Sequence, residues 1–391
     1  VAATCALYAG GALSRRWIDD DGFINLRIAR NLLEGHGPVY NPGERVEAGT
    51  SPLWIGLLSL GGSLRIPLEV VAVYGGIALA VLGLFLAQRA ALATEPERRT
   101  GSPWIPLPAG ALAIAALPAF WDYGSSGLET GLTIAWMGGA ALASARALDG
   151  SPRRARIAAA VAGLGPLVRP ELALYSLAFA GPLAVIAWRA DRPTRERARA
   201  VALLVACAAA APLAWEVFRM GYYGTLTPNT ALAKEAFLPN VRQGRCYLKN
   251  FFASTRMSWP LVPLAGLALF KSMRRERATG RVEAWAPFLP WLAAIAHGAY
   301  VVVMGGDYMY GRMWLPPVMA AALPAAVVSI RVSKKPDLAT GAGMAFALGF
   351  LLWVPLSLAV FRPPKENQCG IGDERAWYAK LSAVPTPVRI A

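Results

Sequence analysis

Charged residues, histidines and paired cysteines are all scarce in this chain of 391 residues. Only 16% of the residues are charged, against about 25% in ordinary soluble domains, while 55% are apolar. An ionised group at the centre of a bilayer costs about 2.5–3.5 kcal/mol on insertion scales, so a membrane-embedded chain has to be poor in charge. The shortage of charge therefore favours an integral membrane protein.

Histidine and cysteine are too sparse or too scattered for the common metal and redox motifs. The two histidines, His36 and His297, lie far apart, and the four cysteines form no C-x-x-C pair, so neither a histidine-built metal site nor a zinc or redox motif is expected. The net charge of +15 would suggest nucleic acid in a soluble protein. Here the basic residues are scattered between long apolar runs, and membrane topology explains many of them.

Long uncharged runs are the main positive feature of the sequence. Flanking Arg and Lys can extend the shorter runs across the bilayer, and the opening run Val1–Leu13 is interpreted as the remainder of a further span. The runs predict an all-α polytopic transmembrane helix bundle with about eleven spans. They lie at 70–87, 102–121, 130–145, 157–168, 172–188, 200–215, 257–270, 284–306, 313–330 and 338–361.

Short basic connections recur on one side of this arrangement, which is the cytoplasmic side by the positive-inside rule. They are Arg89–Arg99, Arg146–Arg156, Arg189–Arg199, Lys271–Arg281 and Arg331–Lys335. The outer face then holds a first loop, 14–69, a second large loop, 216–256, and the segment 362–391, with 1–361 forming the transmembrane module. The apolar run 50–64 would reverse this topology if it crossed. It is therefore interpreted as a re-entrant or interfacial helix, or as an early part of the second span.

Cys246 and Cys369 both fall on the outer face in this topology. Because that face is oxidising, we expect a disulfide bond between them. Cys5 and Cys207 lie in spans and are expected to pack there.

The first outer loop begins with three consecutive acids, Asp19, Asp20 and Asp21. Crowding or burial raises the pKa of a carboxyl group, which suits general-base catalysis or contact with a cation. Alternatively, Asp21 caps a helix that begins near Gly22 while the other two acids are simply solvated. The helix that follows is amphipathic, and we expect it to lie in the membrane interface.

Blocks of sequence in a recognisable order extend from this loop along nearly the whole chain. They resemble the GT-C polyprenyl-phosphate-sugar glycosyltransferases, and most of all the mycobacterial terminal β-(1→2)-arabinofuranosyltransferases. The blocks are Asp20-Asp21-Gly22-Phe23-Ile24, Glu34-Gly35-His36-Gly37-Pro38, Thr50-Ser51-Pro52-Leu53-Trp54, Ser126-Gly127-Leu128-Glu129-Thr130, Arg169-Pro170-Glu171, Tyr222-Tyr223-Gly224-Thr225, Thr227-Pro228-Asn229-Thr230 and Gly305-Gly306-Asp307-Tyr308.

The resemblance implies a membrane glycosyltransferase of the cell membrane with its active site on the outer, periplasmic face. The implied donor is decaprenyl-phosphate-arabinofuranose, and the implied acceptor is a terminal residue of cell-wall arabinan, as in arabinogalactan or lipoarabinomannan. Members of the family continue into a sizeable soluble C-terminal domain. The segment 362–391 is expected to be the start of such a domain.

The resemblance also implies roles for individual residues. Asp20 would be the catalytic carboxylate, supported by Asp21. The lipid phosphate would be held by Lys234, Arg312 and the turn at Asn229 and Thr230, and the sugar would lie against Tyr222 and Tyr223. Further site candidates are Asp307, Tyr308, Glu47, Glu129, Arg169, Glu171 and His36.

Several of these residues have a structural alternative. Lys234 would serve equally as an interfacial anchor, Asp307 as a cap or as a partner of Arg312, and His36 as a loop or acceptor-side residue. Two of Glu129, Arg169 and Glu171 would form a structural ion pair.

No cofactor or metal is expected to be essential, although the adjacent carboxylates of Asp20 and Asp21 could bind a divalent cation. A single displacement inverts the anomeric carbon. If donor and product are both β, a carboxylate nucleophile or attack on the leaving-group face is required. The alternative functions are another GT-C enzyme, such as a polyprenyl-phosphate-mannose mannosyltransferase, and, less favoured, a lipid or sugar transporter. The transporter is less favoured because the acids cluster in an outer loop and no internal repeat is found.

Overall fold

The computed structural model describes residues 1–94, 104–230, 238–280, 282–331, 338–360, 369–384 and 386. The chain is mostly helical, at 76%. Its α-helices are α1 (Ala2–Ser14), α2 (Asp20–Leu33), α3 (Pro52–Ser63), α4 (Leu68–Ala93, with a π turn at Val71–Gly75), α5 (Ala109–Ala115), α6 (Pro118–Gly124), α7 (Thr130–Ala147), α8 (Pro152–Gly163), α9 (Gly165–Val168), α10 (Ala173–Arg189), α11 (Thr194–Tyr223), α12 (Val241–Thr255), α13 (Ser258–Thr279), α14 (Leu289–Met304), α15 (Leu315–Ala322), α16 (Leu338–Val360) and α17 (Glu374–Leu381).

Five helices among the described residues are long and apolar enough to cross a membrane. They are Leu68–Ala93, Pro170–Arg189, Thr194–Tyr223, Glu283–Met304 and Gly341–Ala359. Long apolar helices of this kind indicate a membrane-embedded protein, as the shortage of charge predicted. Several of the other predicted spans form shorter or interrupted helices.

Prolines explain the interruptions in two of the predicted runs. The run 102–121 divides at Pro108 and Pro118 into β1 (Trp104–Leu107), α5 and α6, and the run 313–330 ends in β2 (Val328–Arg331). Proline lacks the N–H that a continuing helix needs. The two strands pair antiparallel, with Trp104 opposite Arg331, so that each satisfies backbone groups of the other. The prediction of a purely α-helical chain is wrong at this strand pair.

Helices α4 and α7 pack with their backbones in close contact. A Cβ atom added at Gly138 would lie 2.1 Å from the carbonyl oxygen of Gly83, and one added at Gly131 would lie 2.1 Å from that of Gly76. Only glycine permits this approach, which is how helices associate where water supplies no hydrophobic driving force. The loop that contains Ser126 and Gly127 leads directly into α7 of this closely packed pair.

Two short helices of the first loop, α2 and α3, lie against each other beside the start of α4. Helix α3 has 12 residues, or about 18 Å at 1.5 Å per residue, too short for a bilayer core of about 30 Å. Pro67 separates it from α4. Helix α2 packs beside it, with Leu26, Ile28 and Ala29 buried.

Candidate active site

Helix α2 is capped by Asp19. The backbone of Asp19 is extended, and its carboxylate accepts a hydrogen bond from the N–H of Asp21 at 3.2 Å, which satisfies one of the free N–H groups of the first turn. The prediction that Asp21 caps a helix beginning near Gly22 is therefore wrong. Any of three consecutive aspartates can cap, and the choice is made by a distant contact: the N–H of Asp19 donates to the carbonyl oxygen of Ser126 at 2.9 Å.

Gly22 allows this contact to form. A Cβ atom at Gly22 would lie 2.5 Å from the carbonyl oxygen of Ser126, so a larger residue would push the first turn of α2 away. The indole N–H of Trp54 donates to the carbonyl oxygen of Gly127 at 2.8 Å. Two of the blocks recognised in the sequence, 20–24 and 126–130, thus lie side by side.

The first two acids of the triplet have opposite environments. Asp19 is fully buried, and its Oδ2 receives no hydrogen bond from any residue that the structure describes. Burial and the neighbouring Asp20 raise the pKa of Asp19 well above its usual range. Asp20 is exposed, and the neighbouring Asp19 side chain and the Asp21 N–H, which donates to Oδ1 of Asp20 at 2.7 Å, lower its pKa. These environments disfavour negative charge on Asp19 and favour it on Asp20.

Asp20 lines an open groove along α2. The groove has a volume of about 410 Å³. Arg27 lies over the ring of Tyr40 with its guanidinium carbon 4.3 Å from the ring centre. The lining residues are Asp20, Phe23, Ile24, Leu26, Arg27, Arg30, Asn31 and Tyr40.

Arg312 joins the first loop to the segment after α14. Its Nη1 lies 3.1 Å from Asp21 and 3.8 Å from Asp307. Burial opposes its charge, but Asp307 and the other nearby acids outweigh burial and raise the pKa of Arg312. Asp307 thus pairs with Arg312, one of its predicted alternatives. The side chain of Tyr308 is 48% exposed, and burial of its hydroxyl and the surrounding acids raise its pKa.

The segment 369–384 also reaches this site. Cys246 of α12 and Cys369 form the predicted disulfide, with their Cα atoms 6.5 Å apart. Beyond it, Gly372 exchanges backbone hydrogen bonds with Tyr308 (3.0 Å) and Tyr310 (3.1 Å). These ties bring Glu374, at the start of α17, to the acidic triplet.

Sequence reasoning missed Glu374 altogether. One carboxylate oxygen of Glu374 and one each of Asp19 and Asp20 lie within 4.8 Å of one another. Burial, then Asp20 and Asp307, raise the pKa of Glu374 to about 7. The one signal in the sequence was the expected disulfide, which placed the neighbouring Cys369 against an outer helix.

These three carboxylates are the group that could hold a divalent cation among the described residues, since hard cations take carboxylate oxygens. The sequence had paired Asp20 with Asp21 for that role. Asp21 is instead engaged by Arg312 at 3.1 Å.

A second charged cluster lies at the start of α7 and α10. Arg169 bonds Glu129 at 2.6 Å and Glu171 at 2.5 Å, so all three predicted residues come together as an ion-pair cluster. Arg169 and Arg312 both line a small internal cavity beside Thr130. The cluster therefore adjoins the site on the side of Arg312.

Three other predicted residues tie the first loop to the end of α11. Glu47 is buried against Arg219 at 2.8 Å, and the hydroxyl of Tyr223 donates to the carbonyl oxygen of Pro38 at 2.6 Å. The ring of Tyr222 lies under Arg45, 5.0 Å from its guanidinium carbon. In the described structure these contacts go to the loop 38–47 and none goes to the Asp triplet.

The remaining predicted residues give less information. Lys234 lies outside the described residues. Asn229 and Thr230 are described, and neither Oδ1 of Asn229 nor Oγ1 of Thr230 has a partner within the described part of the chain. His36 is exposed, 3.6 Å from Glu34.

Comparison with known proteins gives two relatives that align along nearly the whole chain. The terminal β-(1→2)-arabinofuranosyltransferase of Mycobacterium tuberculosis is 36% identical, over 100% of this chain and 67% of the relative. Its counterpart in Corynebacterium glutamicum is 33% identical, over 95% of this chain and 56% of the relative. The chain thus spans about two thirds of one relative and just over half of the other. No family model matches.

Two crystal structures of the Archaeoglobus fulgidus oligosaccharyltransferase are similar to this chain, one in complex with zinc and sulfate and one in the apo form. They have TM-scores of 0.44 and 0.46 and identities of 14% and 13%. The matches cover 93% and 99% of this chain and 54% and 60% of the neighbours.

The sequence relatives are glycosyltransferases, and a mostly helical chain with long apolar helices and a carboxylate cluster is consistent with a membrane-embedded enzyme of that class. At 36% identity over its whole length, the chain belongs to the family of terminal β-(1→2)-arabinofuranosyltransferases.

Proposed function

We propose that this chain transfers arabinofuranose from decaprenyl-phosphate-arabinofuranose to terminal residues of cell-wall arabinan. The observation that carries the proposal is the exposed Asp20 carboxylate, which borders an open groove and accepts a hydrogen bond from the Asp21 N–H at 2.7 Å. A base for a sugar hydroxyl has to be both ionised and accessible. Asp19 is buried and Asp21 is engaged by Arg312, whereas Asp20 is exposed and its pKa is lowered.

In the transfer, the acceptor hydroxyl oxygen forms a bond to the anomeric carbon of the donor. The bond from that carbon to the phosphate oxygen breaks, and the phosphate leaves with the electron pair. The hydroxyl proton passes to Asp20. A retained configuration would require either a first step in which a carboxylate attacks the anomeric carbon and is then displaced by the hydroxyl, or attack of the hydroxyl on the leaving-group face.

Arg312 is the cation that would face the leaving phosphate. Charge-assisted hydrogen bonds from a guanidinium stabilise a phosphate oxyanion as negative charge develops on it. Asp21 and Asp307 hold the Arg312 side chain at 3.1 and 3.8 Å, which fixes its direction. Lys234, Asn229 and Thr230 would complete the phosphate site, and Tyr222 and Tyr223 the sugar site, as the resemblance implies. No metal is essential in this scheme, because Arg312 already supplies positive charge.

The site would face the outer, periplasmic side of the cell membrane. Basic connections such as Arg146–Arg156 would lie in the cytoplasm, and the disulfide near the site agrees with an oxidising compartment. Helices α2 and α3 would lie in the outer interface of a GT-C bundle of about eleven spans formed by 1–361. The segment from 362 would begin an outer domain.

The test is transfer by membrane fractions that contain wild-type or Asp20→Asn protein, with radiolabelled decaprenyl-phosphate-arabinofuranose and an arabinan acceptor. Loss of a general base lowers kcat by about 10²–10⁴-fold, and we expect a loss of that size. The matched control is Asp191→Asn, an exposed acid between α10 and α11, which should retain full activity.

Two results would contradict the proposal. Full activity of the Asp20→Asn protein would remove Asp20 from the chemistry. Transfer from a mannose-bearing lipid donor, with none from the arabinose donor, would favour a mannosyltransferase.

A further inference from the structure

The C-terminal segment 369–384 is fastened to the site at several independent points. The disulfide Cys246–Cys369 is one, and the amide of Gln243 donates to the carbonyl oxygen of Cys369 at 2.7 Å. Further along, the guanidinium of Arg375 donates to the carbonyl oxygen of Arg15 at 2.7 Å and lies 3.6 Å from Asp122. The ring of Tyr378 packs on Trp17, with the ring centres 6.1 Å apart.

These ties fix the position of one residue between them, Glu374. Within the acidic triplet, the carboxylates next to that of Glu374 are those of Asp19 and Asp20. Oε2 of Glu374 is buried and, within the described residues, receives no hydrogen bond. Burying a carboxylate oxygen without a hydrogen-bond donor costs folding free energy. Packing alone therefore does not account for a Glu374 carboxylate held in this position.

The charge around Glu374 determines what could bind there. Asp19, Asp20 and Glu374 gather three carboxylates within 4.8 Å, while the cation Arg312 is held on the side of Asp21 and Asp307. An anionic phosphate would be repelled from the side of Glu374 and attracted to the side of Arg312. A neutral ligand rich in hydroxyl donors suits the side of Glu374, because carboxylate oxygens accept O–H hydrogen bonds strongly.

We propose that Glu374 is an acceptor-binding residue: its carboxylate takes a hydroxyl hydrogen bond from the polyhydroxylated acceptor and holds it beside Asp20. The inference rests on the proposed function, and it divides the site into a phosphate side at Arg312 and an acceptor side at Glu374. The acceptor side is supplied by a segment about 350 residues away from Asp20 in sequence.

The test compares Glu374→Leu and Glu374→Gln with the wild type in steady-state transfer, using a synthetic arabinofuranoside acceptor and the lipid-phosphate arabinose donor. Hydrogen bonds to charged groups are strong enough that losing one weakens binding by about tenfold or more. We expect the acceptor KM to rise about tenfold or more for Leu and by a smaller factor for Gln, which keeps one acceptor oxygen. The donor KM should stay within about twofold, and Glu196→Gln, an exposed glutamate of α11, should match the wild type.

Equilibrium binding of the acceptor can be measured in variants whose transfer is too slow to assay. Acceptor binding is titrated by tryptophan fluorescence in Asp20→Asn protein, with and without Glu374→Leu, after circular dichroism has shown the same helix content in both. We expect Glu374→Leu to weaken binding by about the same factor as in the kinetic assay. An acceptor Kd and KM unchanged by Glu374→Leu would overturn the inference while leaving Asp20 and the proposed function intact. Inactive wild-type protein would instead count against the proposed function itself.

Discussion

Two groups of carboxylates in this molecule differ in how their charge is balanced. Glu129 and Glu171 both bond one guanidinium, that of Arg169, at 2.6 and 2.5 Å. At the start of α2, by contrast, Asp19, Asp20 and Glu374 crowd within 4.8 Å of one another. Arg312 is nearby, but its ion pairs are with Asp21 and Asp307.

The difference separates acids that hold the fold together from acids that cost the fold stability. A buried ion pair is hard to break because either partner, once alone, is an unpaired buried charge. Crowding by Asp20 helps to raise the pKa values of Asp19 and Glu374 and disfavours the compact state, and such groups concentrate at functional sites. The balanced cluster would therefore be needed for stability, and the crowded cluster for activity.

The largest stability effect is expected where the balanced cluster is broken. Arg169→Met leaves Glu129 and Glu171 without their shared cation, and removing one partner of a buried pair costs about 3–5 kcal/mol. Thermal unfolding in detergent should show a large drop in apparent Tm. Arg154→Met, which breaks the exposed pair with Asp149, is the control and should cost less than about 1 kcal/mol. Equal losses in the two variants would contradict the distinction between the clusters.

The disulfide comes next, because it holds Glu374 in the crowded cluster. A disulfide that closes a long loop contributes about 2–4 kcal/mol, and this one spans 123 residues. Replacing both Cys246 and Cys369 with Ser should lower the Tm and raise the acceptor KM in the same direction as Glu374→Leu. Replacing Cys5 and Cys207, both free, should leave the acceptor KM unchanged. A lower Tm with a wild-type acceptor KM would show that the bridge does not position Glu374.

The smallest effect is a slope of stability against pH. The pKa of Glu374 is raised from 4.5 to about 7 in the folded protein, and that of Asp19 is raised in the same direction. A group with a raised pKa contributes stability that is fully present below its unfolded pKa and is lost as pH rises through the folded value. For Glu374 this window runs from about pH 4.5 to about pH 7.

We therefore expect the wild-type Tm to fall between about pH 4.5 and about pH 7 and the Glu374→Gln protein to show a flatter curve. Asp19→Asn should flatten the curve as well, because Asn does not titrate. Asn also caps helices, so the start of α2 should be kept. Measuring the melting temperature at several pH values checks this, with Glu196→Gln as the control. A wild-type curve no steeper than that of Glu374→Gln would count against the crowding of these acids.

Features with a strong local or topological signal could be predicted from the sequence. The long apolar helices follow from hydropathy, and the bridge between Cys246 and Cys369 follows from placing both on one face. Three adjacent acids left catalysis and helix capping both open, and the resemblance to the family singled out Asp20 and Asp21. The ion pairs of Arg169 were among the alternatives, because charged residues at helix ends in a bilayer require partners.

What could not be predicted depends on contacts between distant parts of the chain. Three consecutive aspartates have the same capping propensity, and only the carbonyl of Ser126 selects Asp19. The strand pair 104–107 and 328–331 requires two segments more than 200 residues apart to meet. Glu374 had no motif around it, and its place is set by the bridge at Cys369 and the backbone bonds of Gly372.

The disulfide also imposes an order of events on the maturation of the protein. In chain order, Asp19 and Asp20 are synthesised about 350 residues before Cys369 and Glu374. If Glu374 serves the acceptor, a newly inserted molecule would hold its base and its phosphate-facing arginine before it could retain an acceptor. Oxidation of Cys246 and Cys369 would then mark the moment of activation, and a cell that failed to oxidise this pair would accumulate correctly inserted but idle protein.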